Sequence, residues 1–139
     1  MTAVKKVLIV DDDKTVCALI GKLVRRHGAD AVVVANGKAA EEALKSDTRF
    51  DAVFLDLVVP HVSGWDVLKR LRADPRNSGV PVVILSGAPL SYQEKAKLSK
   101  EVVAFVDKET FQLEKFDNLV ADVLSGRNIR EPEAGNRNP

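Results

Sequence analysis

With 139 residues, 45% of them hydrophobic and 29% charged, the chain has the size and balance of one globular domain whose core needs no disulfide or metal staple. A net charge of +1 gives no bulk attraction to nucleic acid or other polyanions. No run of about 18 apolar residues suits a membrane span, the segment Met1-Thr2-Ala3-Val4-Lys5-Lys6 lacks the apolar stretch of a secretory signal, and the single cysteine, Cys17, fits a reducing compartment, so a cytoplasmic setting is expected.

Two periodicities alternate along the chain. Residues 4–10 close on the run Val7-Leu8-Ile9-Val10, which predicts a strand delivering Asp11-Asp12-Asp13 at its end. Val16, Leu19, Ile20, Leu23 and Val24 then recur at helical spacing, with Asp13 placed to cap this helix and Gly28 to stop it. Cys17 shares the apolar face and reads as a packing residue; His27 is a cation near the last carbonyls. A β-branched run over 31–35 predicts the second strand. Asn36-Gly37 opens a helix that turns Ala39, Ala40, Ala43 and Leu44 inward. The third strand, over 51–55, ends at Asp56 and gives way to Leu57-Val58-Val59-Pro60.

Ser63 with Asp66 resembles a capping pair for a third helix, whose stripe is Trp65, Leu68 and Leu71. Pro81 falls at the start of a strand over 80–85, where its missing donor is tolerated, and that strand ends in Ser86-Gly87. Ser91-x-x-Glu94 is a capping box. The helix it starts has few apolar residues beyond Tyr92, Ala96 and Leu98, so it is the least buried one and a place to look for a partner surface. A fifth strand over 102–106 ends in Asp107-Lys108, and the last helix carries Phe111, Phe116, Leu119, Val120, Val123 and Leu124. Residues 125–139 hold one large apolar residue, Ile129, and are expected to form a disordered tail or the start of a linker, which leaves 1–124 as the folded domain.

The strand runs are apolar throughout, which implies burial on both faces, as in a parallel sheet between helices. Strand–helix alternation repeated five times makes an α/β fold, and right-handed crossovers restrict it to a few doubly wound arrangements. Ligands in such sheets sit at the carboxyl ends of the strands. Every reactive group named above falls there.

Three consecutive acids repel one another unless a cation lies among them. Together with Asp56 they offer the hard oxygen donors that Mg²⁺ prefers. The plainer reading makes Asp13 a helix cap and leaves its neighbours solvated. Asp56, Ser86-Gly87 and Lys108 have ordinary readings too, as turn residues and a solvated lysine. Taken jointly, they supply what phosphoryl transfer requires: a carboxylate nucleophile, a metal site, a hydroxyl and a fixed cation.

The motifs Val10-Asp11-Asp12-Asp13, Phe54-Leu55-Asp56-Leu57, Leu85-Ser86-Gly87 and Phe105-Val106-Asp107-Lys108, in this order and spacing, resemble the receiver domains of two-component response regulators, of chemotaxis-receiver type, over residues 4–124. The resemblance implies a flavodoxin-like, five-stranded parallel sheet of order 2-1-3-4-5 with five helices. It implies a phosphoacceptor module that catalyses only its own phosphorylation and dephosphorylation, with Asp56 as the acceptor. Mg²⁺ (or Mn²⁺) would be held by Asp11, Asp12, Asp56 and the Val58 carbonyl, Asp12 being the direct ligand of the acid pair. Ser86 corresponds to the switch hydroxyl, Phe105 to the switch aromatic and Lys108 to the lysine that contacts the phosphoryl group. The implied partners are a histidine kinase or histidine phosphotransfer protein as donor, and a protein target read through the surface of the fourth helix, fifth strand and fifth helix. Neither nucleic acid nor membrane is an expected direct partner.

The chain departs from the family pattern at three places. Glu109 stands where a cis proline is common, so a trans peptide or a strained exception is expected after Lys108. Val58 and Ala88, each two residues past a site residue, offer no polar side chain to orient water, so a long-lived phosphoaspartate is expected. His27, and His61 in a loop near the site, are not expected to relay phosphoryl groups. Two alternatives stay open: an aspartyl-phosphate phosphatase or phosphotransferase, which would want an acid at position 58, and a module that binds without being phosphorylated.

Overall fold

The computed structural model describes residues 4–46, 48–58, 63–87 and 89–126. Strands β1 (Lys6–Val10), β2 (Asp30–Val34), β3 (Ala52–Asp56), β4 (Val82–Ser86) and β5 (Ala104–Asp107) alternate with helices α1 (Lys14–Arg26), α2 (Gly37–Lys45), α3 (Gly64–Ala73), α4 (Tyr92–Leu98) and α5 (Leu113–Ser125). The strands form one sheet of order β2-β1-β3-β4-β5, and every neighbouring pair is parallel. This is the doubly wound arrangement expected, with β1 and β3 central and their carboxyl ends side by side.

Side chains along a strand point alternately to the two faces, and here each face has its own core. Val7 and Ile9 of β1, Ala52 and Phe54 of β3, and Val83 and Leu85 of β4 pack with Cys17, Ile20 and Val24 of α1 and Phe116, Val120 and Val123 of α5. Leu8 and Val10, Val53 and Leu55, and Val82 and Ile84 pack on the other side with Ala40 of α2, Val67 and Leu71 of α3 and Leu98 of α4. Phe54 meets Phe116 edge to face at 6.0 Å between centroids, which ties the central strand to the last helix.

The cap residues work as their types dictate. Asp13 accepts from the N–H groups of Thr15 and Val16, Asn36 from Ala39 and Ser63 from Asp66. Ser91 and Glu94 form the reciprocal capping box. Gly28, at φ +86°, takes the left-handed conformation that ends α1. His27 pairs with Asp117 of α5 at 2.8 Å, so its role is to join two helices on the face away from α4.

Two expectations need correction. β2 is not buried on both faces: it is an edge strand, and Val33 is 49% exposed. Phe111 precedes α5 instead of belonging to it; its N–H donates to the Asp107 carbonyl in the turn after β5, and its ring packs on Phe116 at 5.4 Å. α5 ends at Ser125, where Gly126 stops it at φ +75°. Within α4, as the sequence suggests, Leu98 is the one buried residue and Tyr92 is 85% exposed. Pro60, His61, Ala88 and residues 127–139, on which other expectations rest, lie outside the described residues. Among the described residues no helix is long and apolar enough to cross a membrane.

Candidate functional site

The strand order brings the ends of β1, β3, β4 and β5 to one edge of the sheet, and the expected residues are carried there. Asp11 follows β1 directly, Asp56 is the last residue of β3, Ser86 the last of β4, and Lys108 the first residue past β5. The register pairs Asp56 with Leu85 and Ser86 with Asp107, and the Lys108 N–H donates to the Ser86 carbonyl at 2.7 Å. The lysine backbone is therefore fixed to β4, and its side chain reaches back across β3.

Lys108 Nζ donates to Asp56 Oδ2 at 2.9 Å and to Asp11 Oδ1 at 3.1 Å. Asp11 and Asp56 are buried, whereas Asp12 is exposed. Asp11 Oδ1 also accepts from the Asp13 N–H at 2.9 Å, and Asp56 Oδ1 from the Val58 N–H at 2.9 Å. Burial pushes the Asp11 carboxyl above the usual carboxylate range; the Asp13 N–H and the Lys108 ammonium act the other way, and the Asp56 charge adds to the rise. Burial works against the Lys108 charge, yet its bonds to Asp11 and Asp56 outweigh it and hold the ammonium above its ordinary value.

A divalent cation fits this donor set. Carboxylate oxygens of Asp11, Asp12 and Asp56 lie within 4.8 Å of one another. Asp11 Oδ2 is shielded from solvent and accepts no hydrogen bond, although Lys108 Nζ stands 2.9 Å away without the angle for one. A buried oxygen with an unused lone pair, beside two more acids, is what an oxygen-seeking ion requires. Val58, the remaining expected ligand through its carbonyl, is 80% exposed.

Phe105 is buried in the core on the α4 face, with Lys95 Nζ 5.9 Å from its ring centroid. Ser86, Leu90, Lys95 and Phe105 line a small cavity of about 110 Å³ beside the site. The Lys108–Glu109 bond is trans, as are all described peptides; the Glu109 N–H closes the turn by donating to Asp107 Oδ1 at 2.8 Å.

Two residues that touch the site were not assigned to it from the sequence. The Cys17 thiol donates to the Asp11 carbonyl at 3.1 Å, so this packing residue also holds the backbone of the acid pair. Gly64 donates its N–H to the Leu57 carbonyl at 3.0 Å and lies against the end of β3. A glycine just inside a capped helix start, where propensity disfavours it, was the available signal.

The model of the response regulator receiver domain matches residues 7–121 of the chain. The chain belongs to this family, whose members are the receiver modules of two-component response regulators. It is 39% identical over 82 residues to the DNA-binding response regulator MtrA of Mycolicibacterium smegmatis, a match covering 59% of this chain and 34% of that protein. It is 29% identical over 89 residues to the 3',5'-cyclic-nucleotide phosphodiesterase regA of Dictyostelium discoideum, covering 63% of this chain and 11% of that protein. The chain thus spans only a minor part of the curated relatives it matches. Among solved structures, the phosphorylated cyanobacterial phytochrome response regulator RcpA superposes with a TM-score of 0.74 at 26% identity, over 91% of this chain and 99% of that one. Membership favours a signalling module over the small-molecule phosphatase alternative, and the apolar side chain at position 58 agrees with it.

Proposed function

We propose that this receiver takes a phosphoryl group onto Asp56 from the phosphohistidine of a histidine kinase or histidine phosphotransfer protein, in a cytoplasmic setting, with residues 1–124 as the signalling unit. The observation that carries the reading is the single ammonium of Lys108 bonded to both buried carboxylates, Asp11 and Asp56. One carboxylate oxygen of Asp56 attacks phosphorus, the N–P bond of the donor breaks, and the imidazole leaves. Val58 N–H and Lys108 hold the Asp56 carboxylate in place from opposite oxygens, so little freedom is lost when the donor docks. Asp11, Asp12 and Asp56, with the Val58 carbonyl, would hold Mg²⁺ (or Mn²⁺), which when bound neutralises charge on the acids and the incoming phosphoryl oxygens.

The new dianionic group adds acceptor oxygens and charge beside Ser86 and Lys108. A hydrogen bond from the Ser86 hydroxyl would draw the β4–α4 connection toward the site and change the room around Phe105, which shares the adjoining cavity. The reading then extends to a population shift of the α4–β5–α5 face, read by a partner protein. In this scheme the module catalyses only its own charging and discharge. The test uses acetyl phosphate carrying labelled phosphorus, with Mg²⁺: wild type takes up label that base and hydroxylamine release, and Asp56→Asn takes up none. Persistent labelling of Asp56→Asn refutes the acceptor assignment.

A further inference from the structure

We propose that Gly64 is a positioning residue for phosphoryl transfer: by having no side chain, it lets the first turn of α3 rest on the Asp56–Leu57 backbone and so sets the Val58 N–H that orients the Asp56 carboxylate. The inference rests on the reading of Asp56 as acceptor. A methyl group at Gly64 would lie 2.4 Å from the Asp56 carbonyl oxygen, 2.5 Å from Leu57 Cα and 3.1 Å from the Asp56 carbonyl carbon. All three are main-chain atoms, which cannot swing aside as a side-chain end can. Ordinary contact begins at 3.4 Å, so a displacement of about 1 Å is required.

The direction of that displacement follows from what is fixed. Asp56 is paired in register with Leu85 of the central sheet, and α3 is anchored by the buried Val67, Leu68 and Leu71. The segment left to give is Leu57-Val58, whose Leu57 carbonyl accepts from the Gly64 N–H at 3.0 Å. Val58 N–H, one residue on, is the donor to Asp56 Oδ1 at 2.9 Å. Gly64 has no positive φ among the described glycines, so what it contributes is space. Moving a reacting group by about 1 Å costs on the order of 100-fold in rate.

The experiment compares wild type, Gly64→Ala and Gly79→Ala, the last being the same substitution where an added methyl meets nothing within 4 Å. Charging by acetyl phosphate, the Mg²⁺ dissociation constant and the unfolding midpoint are measured for each. Gly64→Ala should charge about 10- to 100-fold more slowly per folded molecule and bind Mg²⁺ more weakly, while Gly79→Ala matches wild type. A merely structural glycine would lower the unfolding midpoint and leave both site readouts unchanged in the folded fraction; that result overturns the proposal. If Gly64→Ala does not fold, amide spectra of the wild type decide: the Gly64 and Val58 N–H signals should move together as Mg²⁺ is added, and a stationary Gly64 signal overturns the inference. Absence of label on wild-type Asp56 would instead sink the acceptor reading.

Discussion

Lys108 Nζ stands 2.9 Å from Asp56 Oδ2 and also 2.9 Å from Asp11 Oδ2, so one ammonium is shared by two buried carboxylates. Removing it strands both charges, and breaking a buried ion pair from one side costs about 3 kcal/mol or more. The metal-free Lys108→Met variant should therefore lose about 3 kcal/mol of unfolding free energy at pH 7. Acidification should shrink the deficit. Burial already holds the Asp11 carboxyl above its unfolded value, so the protonated form is the one the fold favours, and stability returns as pH falls through that raised value toward the ordinary carboxylate range. Urea titrations at several pH values check both parts; a variant as stable as wild type at pH 7 contradicts the shared-cation account.

Val58 bears on how long the phosphorylated state lasts. Its side chain is exposed and apolar, and it stands two residues past the proposed acceptor, Asp56, without a group to orient an attacking water. A phosphoaspartate lifetime of minutes or longer is expected, and Val58→Asn should shorten it about 10-fold. Decay of label after removal of acetyl phosphate measures both. A wild-type half-life of seconds would show that water is positioned by some other group.

Cys17 should be inert while the chain is folded. Burial raises its thiol to about 11, with the Asp11 and Asp13 charges adding to the effect, and the thiolate is the reactive form. At pH 8 iodoacetamide should alkylate the native protein at least about 100-fold more slowly than the chain in urea. Comparable rates would mean that the α1 face opens readily.

Arg72 acts at the opposite end of the sheet. Its guanidinium donates to the carbonyls of Ser78 at 3.0 Å and Val80 at 2.8 Å, and also to that of Glu101. It thereby ties α3 to the segments entering β4 and β5. Arg72→Met strips the partly buried Val80 carbonyl and two exposed carbonyls of their donor and should cost about 1–2 kcal/mol, read from the denaturation midpoint. Charging per folded molecule should not change. A slower rate in the folded variant would reveal coupling between the two ends of the sheet.

The parts of the molecule legible in its sequence are those governed by neighbours in the chain. Asp13, Asn36, Ser63 and Ser91 each begin a helix because the short polar side chain reaches an N–H two or three residues ahead, and that reach is a local matter. The strand runs are legible for the same reason, as is the delivery of Asp11, Asp56, Ser86 and Lys108 to strand ends. Edge position is not. Val33 is as apolar as Val53, yet one is half exposed and the other enclosed, because strand order decides how many neighbours each has. Phe111 continues an apolar spacing backwards from Phe116, but the carbonyl of Asp107 captures its N–H in a turn. Convergence of the site residues on one edge followed from reading the strand runs as a parallel sheet, but nothing in the spacing of Asp11 and Lys108 says that they touch. Gly64 and Arg72 escaped notice because their importance lies in main-chain atoms that are remote in sequence: a close approach for one, a set of carbonyls for the other.

The bond between Lys108 and Asp11 spans 97 positions of the chain. A ribosome therefore releases the acidic ends of β1 and β3 well before the cation that bonds both of them in the folded chain. Nothing short of the fifth strand can complete the cluster. If Asp56 is the acceptor, uptake of phosphate would accordingly report on molecules in which the fifth strand has joined the sheet and brought Lys108 to the two acids.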